Sequence, residues 1–303
     1  MRPRPWCSTI ARDAREPLAA SASHASGCVL ISYPKRLWGR VAMGSRGLPE
    51  ALVEACAQLG EQGSIATRLV AHEGEWREEI EVWRFPEGVV RRRVPLADAA
   101  RVLEPGRAMD GDPVARPLVL VCTHGIRDRC CALFGGELVL ALGAAPRAAE
   151  VEVREATHLG GDRFAPTVLL LPSGRMYGHL APTDAGTLIE AALGAPTLAP
   201  RFRGSLFRPP VEQLVECVAT ELAAERGEAR VPDIERLDTD ESGERVILRA
   251  RLRFAAARLD VTVRARLEKR LVIGDCRHAE TDERGSVAMW RLDEREVREA
   301  ALS

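Results

Sequence analysis

The stretch CTHGIRDRCC at residues 122–131 is followed by HLGGD at residues 158–162. Together they supply the thiols of Cys122, Cys130 and Cys131, the imidazoles of His124 and His158, and the carboxylate of Asp162. Sulfur and ring nitrogen are soft or borderline donors, which suit iron–sulfur, zinc or copper better than magnesium or calcium. The chain therefore reads first as a metal or iron–sulfur protein.

The surrounding pattern explains how these donors could meet. Residues 117–122 (PLVLVC) read as a buried strand ending at Cys122, and residues 131–144 as a helix whose start carries Cys131. Ligands of open α/β sheets gather beyond the carboxyl ends of strands, and a thiolate is favoured at a helix N-terminus. Residues 149–155 read as the next strand, and Gly160-Gly161 allow a tight turn after it. Cys122, Cys131, His158 and Asp162 would then converge from two neighbouring loops. A hairpin over residues 167–172 and 175–180 and a helix over 182–193 complete a thioredoxin-like layout. Tyr177 and His179 on that hairpin read as ordinary surface residues.

An earlier unit has the same order: strand 26–33, amphipathic helix 47–60, strands 64–71 and 79–85. It could be a degenerate copy, although only the order matches. After a linking stretch at 201–208, residues 209–226 read as a helix with Leu214, Cys217, Val218 and Leu222 inward. Stretches 244–254, 259–267 and 270–276 read as an antiparallel meander, and the tail after Trp290 as a short or frayed helix. The expected division is an N-terminal α/β unit at 1–112, a thioredoxin-like ferredoxin domain at 113–200 and a C-terminal α+β region at 201–303.

Composition narrows the function. The net charge of −1 leaves no global electrostatic footprint for nucleic acid. The arginine runs at 91–93 and 249–253 read as solvated strand faces. No apolar run is long enough for a membrane span, and residues 1–18 lack the apolar core of a signal peptide, so a cytoplasmic protein is expected. Eight cysteines in such a chain do not read as a disulfide framework. Cys28, Cys56 and Cys217 look like small core residues, while Cys7 and Cys276 have no assigned role.

CTHGIRDRCC followed by HLGGDRFAPTVLLLPSGRMYGHL resembles the sucrase/ferredoxin-like family, and CSTIARDAREPLAASA and QLVECV extend the match over most of the chain. The resemblance implies a thioredoxin-like ferredoxin with a 2Fe–2S cluster held by two cysteines and by two histidines in an H-x-x-x-H motif. Carried over, Cys122 and Cys131 bind one iron and His158 the other. Asp162 stands where the second histidine is expected; a carboxylate there would lower the reduction potential relative to imidazole. Cys130, His124 and His179 are the alternates, and Cys130 is a poor one because side chains of adjacent residues diverge. No paired carboxylates support sucrose chemistry.

The function expected is electron transfer or redox sensing, with an external reductase or acceptor protein, since no G-x-G-x-x-G dinucleotide fingerprint is present. Two other readings stand beside it: a thiol-dependent oxidoreductase using Cys122, Cys130 and Cys131, and a structural zinc module using the same donors. Whether the protein is an enzyme is left open.

Overall fold

The computed structural model describes residues 5–86, 90–104 and 109–300. A short helix α1 (Cys7–Asp13) precedes two units with one topology. In the first, β1 (Gly27–Tyr33) leads through α2 (Glu50–Gly63) to β2 (Ile65–Ala71), then β3 (Glu79–Phe85), β4 (Val90–Pro95), a short α3 (Ala99–Val102) and the two-residue β5 (Asp112–Pro113). In the second, β6 (Leu118–Cys122) leads through α4 (Arg129–Ala144) to β7 (Glu152–Ala156), then β8 (Val168–Leu171), β9 (Arg175–Tyr177), α5 (Ala185–Ala192) and β10 (Phe202–Ser205).

These ten strands form one sheet in the order β10-β9-β8-β6-β7-β2-β1-β3-β4-β5. In each unit the first strand runs parallel to the second and antiparallel to the third, which pairs antiparallel with the fourth. This is the thioredoxin-like arrangement, present twice. The units meet where β2 pairs antiparallel with β7 at Val70 and Ala156, so an approximate twofold relates them. Cys122 pairs with Ala156, and Ser32 pairs with Val70, so the twofold sets Ser32 against Cys122 and His72 against His158. The third residue of α4 is Cys131, whereas that of α2 is Leu52. The first unit thus keeps the scaffold and one histidine but lacks the thiols.

Both central strands, β1 and β6, are buried throughout, as strands covered on two faces must be. Val29 and Ile31 pack toward α2, and Val119 and Val121 toward α4 and α5. The alternate residues Cys28, Leu30, Leu118, Leu120 and Cys122 face a core shared by both units. Arginines of β4 pair with acids: the half-buried Arg91 with Glu152 at 3.6 Å and the exposed Arg93 with Glu81 at 3.2 Å.

Helix α6 (Pro210–Glu225) follows, with Leu214, Cys217, Val218 and Leu222 buried as expected. A second sheet comprises β11 (Asp233–Ser242), β12 (Arg245–Arg253), β13 (Arg258–Val272) and β14 (Gly285–Ala300), all antiparallel neighbours. Strict alternation on β12 puts Val246, Leu248, Ala250 and Leu252 against α6, and sends Arg251 outward to Asp260 at 2.7 Å. A short helix α7 (Cys276–Thr281) sits at the tip of the β13–β14 hairpin. No helix among the described residues is long and apolar enough to cross a membrane.

Four local expectations are corrected. Residues 202–205 form β10, paired with β9, rather than a link. Residues 258–272 are one strand, not two, because pairing with β14 continues through the charged stretch near Glu268. The tail after Trp290 continues β14: its charges pair across the sheet, as Arg264 does with Glu296 at 2.9 Å, rather than along a helix face. Tyr177 and His179 are buried, because Tyr177 packs against Phe202 and His179 against Phe164.

Candidate metal centre

Cys122 is the last residue of β6. The chain returns over residues 123–128 to α4, whose N-cap is Asp128; its Oδ1 accepts a hydrogen bond from Cys130 N at 2.7 Å. Gly135 lies one turn beyond Cys131. A Cβ at Gly135 would stand 2.1 Å from Cys122 O, so only glycine lets α4 approach the end of β6 so closely. The same approach brings the two thiols together. The hydrogen bond from Cys131 lowers the pKa of Cys122, against the effect of burial, and raises that of Cys131.

The second loop is turned by Gly160 and Gly161, with φ of +101° and +78°. That turn folds Asp162 back under His158. Asp162 Oδ1 lies 2.7 Å from His158 Nδ1 and accepts from Cys131 Sγ at 3.5 Å. Its Oδ2 accepts from Arg127 Nε at 3.3 Å. Burial opposes ionisation of Asp162, but His158 and Arg127 outweigh it and hold the carboxyl below its usual range. His158 Nδ1 is buried and makes no aligned hydrogen bond despite its proximity to Oδ1. The side chain of His158 is 32% exposed, so its solvent-facing edge is not Nδ1.

Two residues hold this loop. His158 N donates to His124 Nδ1 at 3.2 Å, and His124 Nε2 donates to Gly39 O at 2.8 Å. His124 is thus fixed as the neutral Nε2–H tautomer, with both nitrogens engaged; burial depresses its pKa. Arg203 is fully buried and reaches from β10 to donate to Gly160 O at 2.9 Å and Ser21 Oγ at 3.0 Å. Its guanidinium lies over Phe164, and burial lowers its pKa to about 9.

The structure therefore brings Cys122, Cys131, His158 and Asp162 together. The alternates do not join them: Cys130 turns toward Cys7 and Cys276, His124 spends both nitrogens within the protein, and His179 packs edge-on against Phe164. Arg163, next to Asp162 in the chain, pairs with Glu16 at 2.8 Å. Sequence reading did not find Arg203, because its strand was taken as a link. It left Cys7 and Cys276 unassigned, because their partners lie more than a hundred residues away and no C-x-x-C spacing marks them.

The donor chemistry fits a 2Fe–2S cluster, which takes four protein ligands. The Asp162 carboxylate touches the Cys131 thiol and the His158 nitrogen, the Cys122 thiol is hydrogen-bonded to Cys131, and the nitrogen is a buried polar atom with no aligned partner. All eight cysteines are free and buried, which suits ligands better than nucleophiles that must meet a substrate.

A region of 113 residues is 30% identical to altered inheritance of mitochondria protein 32 of Eremothecium gossypii, covering 33% of this chain and 36% of that protein. The chain thus spans about a third of that relative's length. Among solved structures, a thioredoxin-like [2Fe-2S] ferredoxin from Aquifex aeolicus aligns with 20% identity over 26% of this chain and 82% of that one, with a TM-score of 0.23. The profile of the sucrase/ferredoxin-like family matches residues 18–204, from the segment that Arg203 grips through both thioredoxin-like units, and the chain belongs to that family.

Proposed function

We propose that the protein is an electron-transfer or redox-sensing protein whose 2Fe–2S cluster is held by Cys122 and Cys131 on one iron and by His158 and Asp162 on the other. The observation that carries this reading is the convergence of Asp162 Oδ1 with Cys131 Sγ at 3.5 Å and with the unaligned His158 Nδ1 at 2.7 Å, beside Cys122. Bound there, such a cluster supplies a one-electron couple.

The protein's own groups set how that couple is used. Burial of both thiols excludes water and competing thiol chemistry. Arg127 holds Asp162 Oδ2, leaving Oδ1 toward the other donors. His124 fixes the backbone of His158, and through it the ring. The partly exposed edge of the His158 ring faces solvent. An external reductase or acceptor protein would approach this edge, where Ile126 is also exposed.

Anaerobic purification followed by a visible spectrum and iron and sulfide analysis tests the reading. A coloured protein with equal iron and sulfide, lost together in Cys122→Ser, supports it. A colourless protein without iron after reconstitution with iron and sulfide refutes it.

A further inference from the structure

A second group of donors lies on the other side of the α4 N-terminus. Sγ of Cys130 is 3.0 Å from Sγ of Cys276 and 3.6 Å from Sγ of Cys7, and Cys276 and Cys7 are 3.6 Å apart. Asp128 Oδ2 lies 3.7 Å from Cys7 Sγ. The four donor atoms fall within 4.8 Å of one another, and all four residues are buried, at 0%, 0%, 3% and 4% exposure for Cys7, Cys130, Cys276 and Asp128.

We propose that Cys7, Cys130 and Cys276, with the carboxylate of Asp128, bind one zinc ion that is structural and separate from the redox centre.

Three short sulfur–sulfur distances choose among the chemistries. A disulfide would join two sulfurs and strand the third. One tetrahedral zinc, with Zn–S of about 2.3 Å, sets its sulfurs roughly 3.8 Å apart, close to the triangle found. Ordinary core thiols would have apolar company. Here a buried carboxylate adjoins them, held by Cys130 N at 2.7 Å and Cys276 N at 2.6 Å, so it fixes the backbones of two ligands while offering an oxygen itself. Ser8 Oγ donates to Cys130 Sγ at 3.4 Å, as hydroxyls do to thiolates. Arg129 lies against Cys276 with a buried Nε that has no aligned partner, a cation placed for an anionic metal–thiolate group.

The topology says what such an ion would do. Cys7 begins α1, Cys130 lies in the first turn of α4, and Cys276 begins α7 at the far tip of the β13–β14 hairpin. Neither α1 nor α7 is long enough to be stable alone. A shared ion ties both to α4, immediately beside Cys131 of the redox pocket.

The proposal stands independently of the cluster reading. Zinc, iron and sulfide are measured in the unaltered chain and in Cys7→Ser and Cys276→Ser. About one zinc per chain is expected, bound roughly 100-fold more weakly in either variant, with iron and sulfide retained. Equal zinc content in all three proteins overturns the proposal. Should the variants fail to fold, cobalt(II) alone is added to metal-free Cys131→Ser protein, in which the other thiol pair is broken. Sulfur-to-cobalt charge-transfer bands of a three-thiolate site are expected, and their absence overturns the proposal.

Discussion

Cys130 and Cys131 are adjacent in the chain, yet their sulfurs belong to different groups: Cys131 Sγ lies 3.5 Å from Asp162 Oδ1, and Cys130 Sγ lies 3.0 Å from Cys276 Sγ. Successive helical residues point about 100° apart, so one turn of α4 can serve two sites at once. Exchanging each for serine should separate them. Cys131→Ser should remove most of the iron and sulfide and leave the zinc, and Cys130→Ser should do the reverse. Metal analysis of the two variants checks this; loss of both metals to the same degree in both would contradict the division.

Asp162 sits where the family resemblance calls for a second histidine. Replacing an anionic ligand by a neutral one makes reduction easier. Asp162→His should therefore raise the midpoint potential, by on the order of 100 mV, in a spectroelectrochemical titration. An unchanged potential and spectrum would place the aspartate outside the ligand set, serving only as the partner of Arg127 at 3.3 Å.

Much of this was legible in the chain. Strands ending at Cys122 and near His158 followed from apolar runs and alternation, and the donors on the two loops after them do meet. The repeated order of elements proved to be one sheet with an approximate twofold. What stayed hidden is non-local. The Arg203 strand carries too little apolar pattern to stand out, and only its pairing with β9 defines it. The length of β14 is set by cross-strand ion pairs with β13, which a one-dimensional pattern of charges cannot distinguish from a helix face. Cys7 and Cys276 acquire a meaning only when the hairpin tip folds back onto α1.

Arg203 supports the loop that carries His158 and Asp162. Its removal leaves Gly160 O without its donor and empties space beside Phe164. Arg203→Ala should cost about 2–4 kcal/mol in urea unfolding, and Arg203→Lys nearly as much, because one ammonium cannot reach Ser21 and Gly160 together. A loss below about 1 kcal/mol for Arg203→Ala would show that the loop keeps its shape without this clamp.

His179 is buried, and burial together with Arg12, Arg201 and Arg203 lowers its pKa from 6.5 to about 4. Below pH 6.5 the unfolded chain takes up a proton that the folded chain refuses, so this residue makes stability fall as pH drops toward 4 and level off below it. The full effect is about 3 kcal/mol. Denaturant unfolding at pH 7 and pH 5 should show about 2 kcal/mol of that loss in the wild type and less of it in His179→Phe. Identical pH slopes in the two proteins would assign the acid sensitivity to other groups.

The claim on which the redox reading depends is that sulfur and one ring nitrogen meet on a single inorganic centre. The most direct measurement is pulsed electron paramagnetic resonance of the reduced protein, in the wild type and in His158→Ala. A signal carrying strong coupling to one imidazole nitrogen, absent from the variant, is the expected result. A signal with no such nitrogen coupling, or one unchanged in His158→Ala, would contradict the assignment of His158 as a ligand.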